Sequence, residues 1–292
     1  MSAKSPPVSA SSFVCPSCGT TSFGPFCTRC GERKLGSDDR SLRHYLDILV
    51  NHLTHFDSKG YRSLRYLLTK PGFLSTEQLR GSRVRYAKPL SLFISINVVY
   101  YLSIGFFGAN TFSTPLAVQL QQNDYYAGAA SRQVQRHLET RHVDFATFEA
   151  RYNERTNVLS KTLIFLFIPI YAAIFYALFF NRQPFIAAHA IVATHLWSFI
   201  LVLLAAAVPA LAAGYVAWSD SPTIAAAMVT HDNPVSIFVQ CAVAAYLLVM
   251  LRRVYGTGYV YSGIVAVTIA WAFFHLVWFY RFLLFTITLH SL

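Results

Sequence analysis

Four cysteines near the N-terminus carry the clearest chemistry in this 292-residue chain. They read Cys15-Pro-Ser-Cys18-Gly and Cys27-Thr-Arg-Cys30-Gly, with eight residues between Cys18 and Cys27. Each C-x-x-C forms a tight turn that aims two sulfurs at one point, and two such turns make a tetrahedral thiolate set suited to one structural Zn²⁺. Gly19 and Gly31 follow the turns, where a positive φ lets backbone N–H groups face the sulfurs. Four thiolates around Zn²⁺ leave a charge of about −2, which Arg29, Arg33 and Lys34 can partly neutralise. A Cys₄ site is closed to water and therefore structural. About twenty residues cannot bury a core, so the metal must supply the folding energy. Replacing Cys15 with serine is expected to lose the metal and unfold residues 15–31. Disulfides, a redox dithiol and an iron–sulfur centre are the competing chemistries. The cytoplasmic placement derived below argues against disulfides.

A second group of polar residues lies inside apolar segments, where ionisable groups are functional candidates by default. Counted at 1.5 Å per residue, Asn97, Tyr171, His195 and Tyr246 fall roughly 12–15 Å in from one side, on four different segments. They make a polar layer near the midplane. It reads either as packing groups bonded across helices or as a solute or proton path. His189 and His195 differ by six positions, about 120° around a helix, and so cannot chelate together. His275 lies higher, at the depth of Gln240. Cys241 reads as a small packing residue. No nucleophile with a base, metal triad or Gly-rich phosphate loop is present. The apolar segments contain no Asp or Glu, which argues against a carboxylate-based proton pump.

The elements that must position these residues follow from composition. The chain is 54% hydrophobic and 13% charged, with 15% aromatic residues and a mean hydropathy of +0.42. Soluble surfaces draw on about 25% charged residues, so the expected fold is an all-α integral membrane bundle with a small N-terminal Cys₄ zinc ribbon. Residues 1–14 read as a disordered leader, 15–34 as the ribbon, 41–88 as basic amphipathic juxtamembrane helices and 89–292 as the membrane domain. About five crossings are expected, at 89–108, 158–180, 185–217, 234–254 and 259–280; a crossing needs about 20 residues, so the 33-residue third segment is either strongly tilted or begins in the interface. A bend is expected at Pro169. The loop 109–157 is expected outside the cytoplasm, with one or two surface helices over 131–157 and an apolar stripe of Phe145, Phe148 and Tyr152.

Charge sets the orientation. The formal net charge is +11, and residues 1–88 hold 14 Lys+Arg against 6 Asp+Glu. With five crossings, the head, Arg182 and Arg252–Arg253 fall on one side, and the loop 218–233, with two aspartates and no Lys or Arg, falls on the other. This places the N-terminus in the cytoplasm. Residues 41–56 set Leu42, Tyr45, Leu46, Leu49, Leu53 and Phe56 on one helical face. His44, His52 and His55 on that helix read as interfacial rather than as a second metal site. A short helix over about 60–69 ends before Pro71-Gly72, and another is expected to start at Ser75 with Gln78 in capping-box position. Residues 59–88 carry eight cations and one acid. That excess reads as a topology determinant or as capture of anionic headgroups, Arg83 and Arg85 included. Nucleic acid is not expected, since no basic–aromatic motif accompanies the charge.

Cys-x-x-Cys-Gly twice, Leu64 to Gly72 (LRYLLTKPG), Gly81-Ser-Arg83-Val-Arg85-Tyr86 leading to Pro89, Ala188-His189 through His195-Leu-Trp-Ser198-Phe199, and Leu251-Arg252-Arg253-Val-Tyr255-Gly256 recur in this order. In this the chain resembles the DUF3667 family of bacterial membrane proteins, which carries no established activity. The resemblance supports the architecture of a multi-pass inner-membrane protein and singles out His189, His195, Arg252 and Arg253 without assigning them a role; they stand as lipid- or ligand-binding candidates. The expected function is a non-enzymatic scaffold, assembly or trafficking factor that binds anionic lipid and a cytoplasmic protein partner, with a homo-oligomer left open. Two alternatives stand beside it. One is a transporter or channel built on the layer around His195. The other is a membrane enzyme on a lipid-linked or quinone-like substrate, using His189 or His275 with Arg252 and Arg253.

Overall fold

The computed structural model describes residues 12–32, 58–107, 111–121, 127–207, 209–211 and 234–292. The expected helix over 41–56 with its three histidines, Arg33, Lys34 and the loop 218–233 lie outside the described residues. The chain divides into two compact units. One comprises Met1–Ser95, Ile170–Phe199 and Val249–Thr257; the other comprises Ile96–Pro169, Ile200–Leu248 and Gly258–Leu292.

In the first unit, β1 (Ser12–Val14) pairs antiparallel with β2 (Thr21–Phe23), Phe13 opposite Ser22. Ser12–Val14, read from the sequence as the end of a leader, instead form a strand that closes a hairpin around the first C-x-x-C turn. Helix α1 (Ser58–Thr69) stops at Lys70-Pro71, where proline disfavours continuation through the residue before it. Helix α2 (Phe73–Arg80) starts two residues before Ser75. Gly72 in a left-handed conformation (φ 76°) turns the chain into it, so Ser75 is an interior residue and not its N-cap. The end of α2 is closed by left-handed Gly81, with the amides of Gly81 and Ser82 bonded back to Gln78 and Glu77.

The apolar helices follow. Helix α3 (Pro89–Phe107) opens on a proline, whose missing N–H costs nothing in the first turn. In the second unit lie α4 (Leu116–Gln121), α5 (Ala127–Arg141) and α6 (Phe145–Leu163). Helix α6 passes through a 3₁₀ turn at Ile164–Leu166 into α7 (Phe167–Phe179). Then come α8 (Ile186–Val202) with a π turn at Leu203–Ala207, α9 (Pro234–Tyr255) and α10 (Tyr259–His290). Four stretches are long and apolar enough to cross a membrane: Phe145–Phe179, Ile186–Leu211, Ile237–Tyr255 and Tyr259–His290. A shorter apolar helix begins at Pro89.

Two expected segments are longer than the hydropathy suggests. The second crossing, read as 158–180, is the end of a 35-residue rod that starts at Phe145. Asp144 caps it, its carboxylate accepting from the Thr147 amide at 2.9 Å. The fifth runs to His290, not 280. At 1.5 Å per residue both exceed a hydrocarbon core of about 30 Å. Their surplus turns pack on each other: Phe148 and Tyr152 share a buried cluster with Leu116, Ala130, Val134, Phe285 and Leu289. Thr156 bonds Thr288, and Tyr152 bonds Gln119. Phe145 stays outside this cluster and is exposed, so the expected three-residue stripe is a pair. The irregularity assigned to Pro169 appears three to five residues earlier. A proline disturbs the carbonyl four residues before it, here Phe165 within the 3₁₀ turn. One turn earlier, the hydroxyls of Tyr101 and Tyr280 both donate to the Ser160 carbonyl, at 2.8 and 2.9 Å. Cys241 faces outward from α9 and is exposed, not packed.

Candidate metal centre and the collar that holds it

The two C-x-x-C turns fold as copies of one another. In the first, the Cys15 amide donates to Thr20 O and the Gly19 amide to Cys15 O; in the second, Cys27 donates to Glu32 O and Gly31 to Cys27 O. Gly19 and Gly31 share a φ of 73°, the left-handed geometry the sequence called for. The four Sγ atoms lie within 4.8 Å of one another. Cys15 and Cys30 are 3.5 Å apart, as are Cys18 and Cys27. Zn–S bonds of about 2.3 Å set tetrahedral S–S edges near 3.8 Å, so the cluster fits a metal ion with little adjustment.

The surroundings favour thiolate at two positions. The Ser22 hydroxyl donates to Cys27 Sγ at 3.5 Å and, with the Cys30 amide, pulls the Cys27 thiol down to about 6. The Thr20 hydroxyl and amide hold Cys18 below its ordinary value. At Cys30 the Glu32 amide also pulls downward, but desolvation and the three neighbouring sulfurs outweigh it and push the thiol up to about 12. Four sulfurs at this spacing cannot all ionise without a cation among them.

Glu32, which the sequence did not single out, joins this cluster to the collar. Its side chain is 1% exposed. Its carboxylate accepts from the Arg83 amide at 3.1 Å through both oxygens, from the Val84 amide at 3.1 Å, and from the Ser17 hydroxyl. Ser82 Oγ donates to Pro16 O, and Arg85 Nη1 donates to Ser17 O. Ser17 sits between two ligands of one turn and Glu32 follows the other, so this acceptor site needs both turns folded. Arg83 and Arg85 are thus fastening points for the ribbon as well as surface cations.

The collar is built into the apolar helices of its own unit. Ser63 Oγ accepts from the Ala87 amide, Gln78 Nε2 donates to Ala87 O, and Tyr66, Phe73 and Tyr86 form a ring cluster. Gly72 abuts the α9 backbone at Met250, and Arg253 Nη1 donates to Pro71 O at 2.7 Å. Ser75 Oγ bonds His195 Nδ1 at 2.9 Å. The expected start of α2 is therefore a buried contact on α8.

His189 is fully engaged. Its Nε2 lies 2.8 Å from Gln183 O, which can only accept, so Nε2 carries the proton. Nδ1 then accepts from the Tyr255 hydroxyl at 2.8 Å. Tyr255 in turn stacks on Phe179 with centroids 4.1 Å apart. Tyr255→Phe is expected to cost about 0.5–1.5 kcal/mol, read as a lowered melting midpoint in detergent. An unchanged midpoint would show that this bond contributes nothing. Of the expected midplane layer, Tyr171 and His195 belong to the first unit and Asn97 and Tyr246 to the second. Among the described residues, His195 Nε2, Tyr171 Oη and Asn97 Oδ1 are buried and have no hydrogen-bond partner. Tyr171 meets Trp197 edge to face at 5.5 Å.

These features define a helical membrane-type protein with an N-terminal tetracysteine cluster able to hold a metal ion and fastened to a basic collar. Over residues 57–101 the chain is similar to the family DUF3667, described as a protein of unknown function. That stretch holds α1, α2, the Gly81–Pro89 link and the start of the first apolar helix, the parts that meet the ribbon, α8 and α9. No curated protein and no solved structure matches the chain.

Proposed function

We propose that the protein is a non-enzymatic membrane scaffold, an assembly or trafficking factor, whose Cys₄ ribbon holds one structural Zn²⁺ and docks a cytoplasmic protein partner. In this reading it sits in an inner membrane with its N-terminus in the cytoplasm, and its collar binds anionic lipid. The observation that carries the reading is the two-faced ribbon. One face is committed to residues 82–85 through Glu32. The hairpin register puts Val14 and Phe23 together on one side of the strands, and with Phe26 they are 67%, 66% and 56% exposed. Three exposed large apolar residues on so small a module mark an interaction surface. The engaged nitrogens of His189 speak against its use as an acid or base.

The test is a pull-down with the full chain carrying Val14→Ser, Phe23→Ser and Phe26→Ser, bound zinc being measured in parallel. Loss of a specific partner with zinc retained supports the reading. An unchanged partner set overturns it.

The unpartnered His195 Nε2 and Tyr171 Oη favour a second reading, a solute or proton path. It expects His195→Leu to slow pH relaxation of reconstituted vesicles. Equal rates for variant and parent would end it.

A further inference from the structure

Helix α1 has two chemically different faces. Ser63 and Leu67 are buried against the rest of its unit. Away from them, Arg62 and Arg65 are exposed, together with Tyr61 at 70% and Leu68 at 44%. Tyr61, Arg65 and Leu68 follow at i, i+4 and i+7, so they share one line along the helix. Helix α1 contains no Asp or Glu. Its outward surface is an aromatic–aliphatic stripe bordered by cations, the composition of a helix that lies in a membrane interface.

Its location fits that composition. The corner between α1 and α2 is fastened to the last turns of a spanning helix. Gly72 rests on Met250, and Arg253 holds the Pro71 carbonyl. Met250 lies five residues before Tyr255, where the span Ile237–Tyr255 ends. That is about 7.5 Å of helix rise. A bilayer surface is therefore within a turn or two of α1, and no additional component is needed to cover its exposed stripe.

We infer that the outward face of α1 lies in an anionic headgroup layer, with Tyr61 and Leu68 entering the interfacial zone and Arg62 and Arg65 holding lipid phosphates. The inference rests on the lipid-binding part of the proposed function and assigns it to one face of one helix. Arginine suits the role because its planar fork matches phosphate oxygens, and cations near an anionic surface are attracted to it.

The experiment places a photo-crosslinking phenylalanine analogue at Tyr61 or Leu68 in the full chain, reconstituted in nanodiscs of phosphatidylglycerol with phosphatidylcholine. Adducts are read by mass spectrometry. Lipid adducts at both positions, enriched several-fold in phosphatidylglycerol over its share of the bilayer, are expected. The pair Arg62→Gln and Arg65→Gln should bring that enrichment close to one. Adducts to protein alone, or lipid adducts with no headgroup preference in the parent, would overturn the inference. Loss of the enrichment on adding inorganic phosphate would also overturn it, showing a site for free phosphate in place of lipid. The readout is independent of partner capture by the ribbon, so the scaffold reading and this one fail separately.

Discussion

Stripping the metal from the metal-loaded chain is expected to release residues 82–85 together with the ribbon. Amide exchange at Arg83 and Val84 should rise with exchange at Gly19 and Gly31, and trypsin should begin to cut after Arg83 and Arg85. The coupling follows from Glu32. Its carboxylate accepts from both amides and from Ser17, and it is held in place by the second C-x-x-C turn. The described ribbon spans residues 12–32 and buries little apolar surface of its own, so in the proposed metal-loaded state the energy that keeps those turns folded would come from metal binding. For structural zinc sites that energy is on the order of 10 kcal/mol. Once it is removed, the acceptor site for the two amides no longer exists.

Glu32→Ala separates the two events. The four thiols are intact in this variant, so the cluster should still take up a metal ion, while Arg83 and Val84 lose their acceptor. Hydrogen bonds to a charged group contribute roughly 1.5–3 kcal/mol each, and an amide left buried without a partner costs about as much again. Exchange at these two amides should therefore accelerate by at least a hundredfold with metal stoichiometry unchanged. Glu32→Gln, which keeps one acceptor oxygen, should fall between. Parent-like exchange in Glu32→Ala would show that the ribbon and the collar are fastened by something else.

The parts of this arrangement visible in the sequence were those that depend on local spacing. Two C-x-x-C turns are recognisable because each is closed by its own amides. Apolar helices are recognisable because burial in lipid demands unbroken hydrophobicity. Glu32 was not recognisable, since its partners lie 51 and 52 residues away and a lone glutamate after a cysteine turn has no local signature. Ser75 misled for a related reason. Ser-x-x-Gln is a helix-start pattern when the helix is free, but Gly72 starts α2 earlier and His195 claims the serine hydroxyl. The 35-residue rod from Phe145 was hidden by its own chemistry. Its first turns carry Glu149, Arg151, Glu154 and Arg155, so hydropathy ends the segment near 158 while the backbone continues. Cys241 is exposed within the apolar span Ile237–Tyr255, and in a helix surrounded by hydrocarbon such a residue needs no protein partner.

Gly72→Ala is expected to be the most damaging single-methyl change in the collar. Two costs coincide there. The residue has φ 76°, which an L-residue adopts at a cost of about 1–2 kcal/mol. A Cβ would also stand 3.0 Å from both Cα and O of Met250, and hydrogen-bonded helix backbone cannot swing aside as a side chain can. Overpacking of this kind costs typically 1–3 kcal/mol, so the total is on the order of 2–5 kcal/mol. Gly256→Ala supplies the control. Gly256 lies in the same unit with φ 65°, yet nothing stands within 4 Å of its would-be Cβ. It should show the conformational cost alone. The difference between the two variants, read as melting midpoints in one detergent, isolates the close approach of the collar to α9. If the two alanines destabilise equally, the corner is not seated on Met250, and the membrane-level position of α1 loses its anchor. If only Gly72→Ala collapses the midpoint, and with it the protection of the Thr76 amide, which donates to Gly72 O, then the Pro71–Gly72 turn is the joint through which the collar is fixed to the spanning helices.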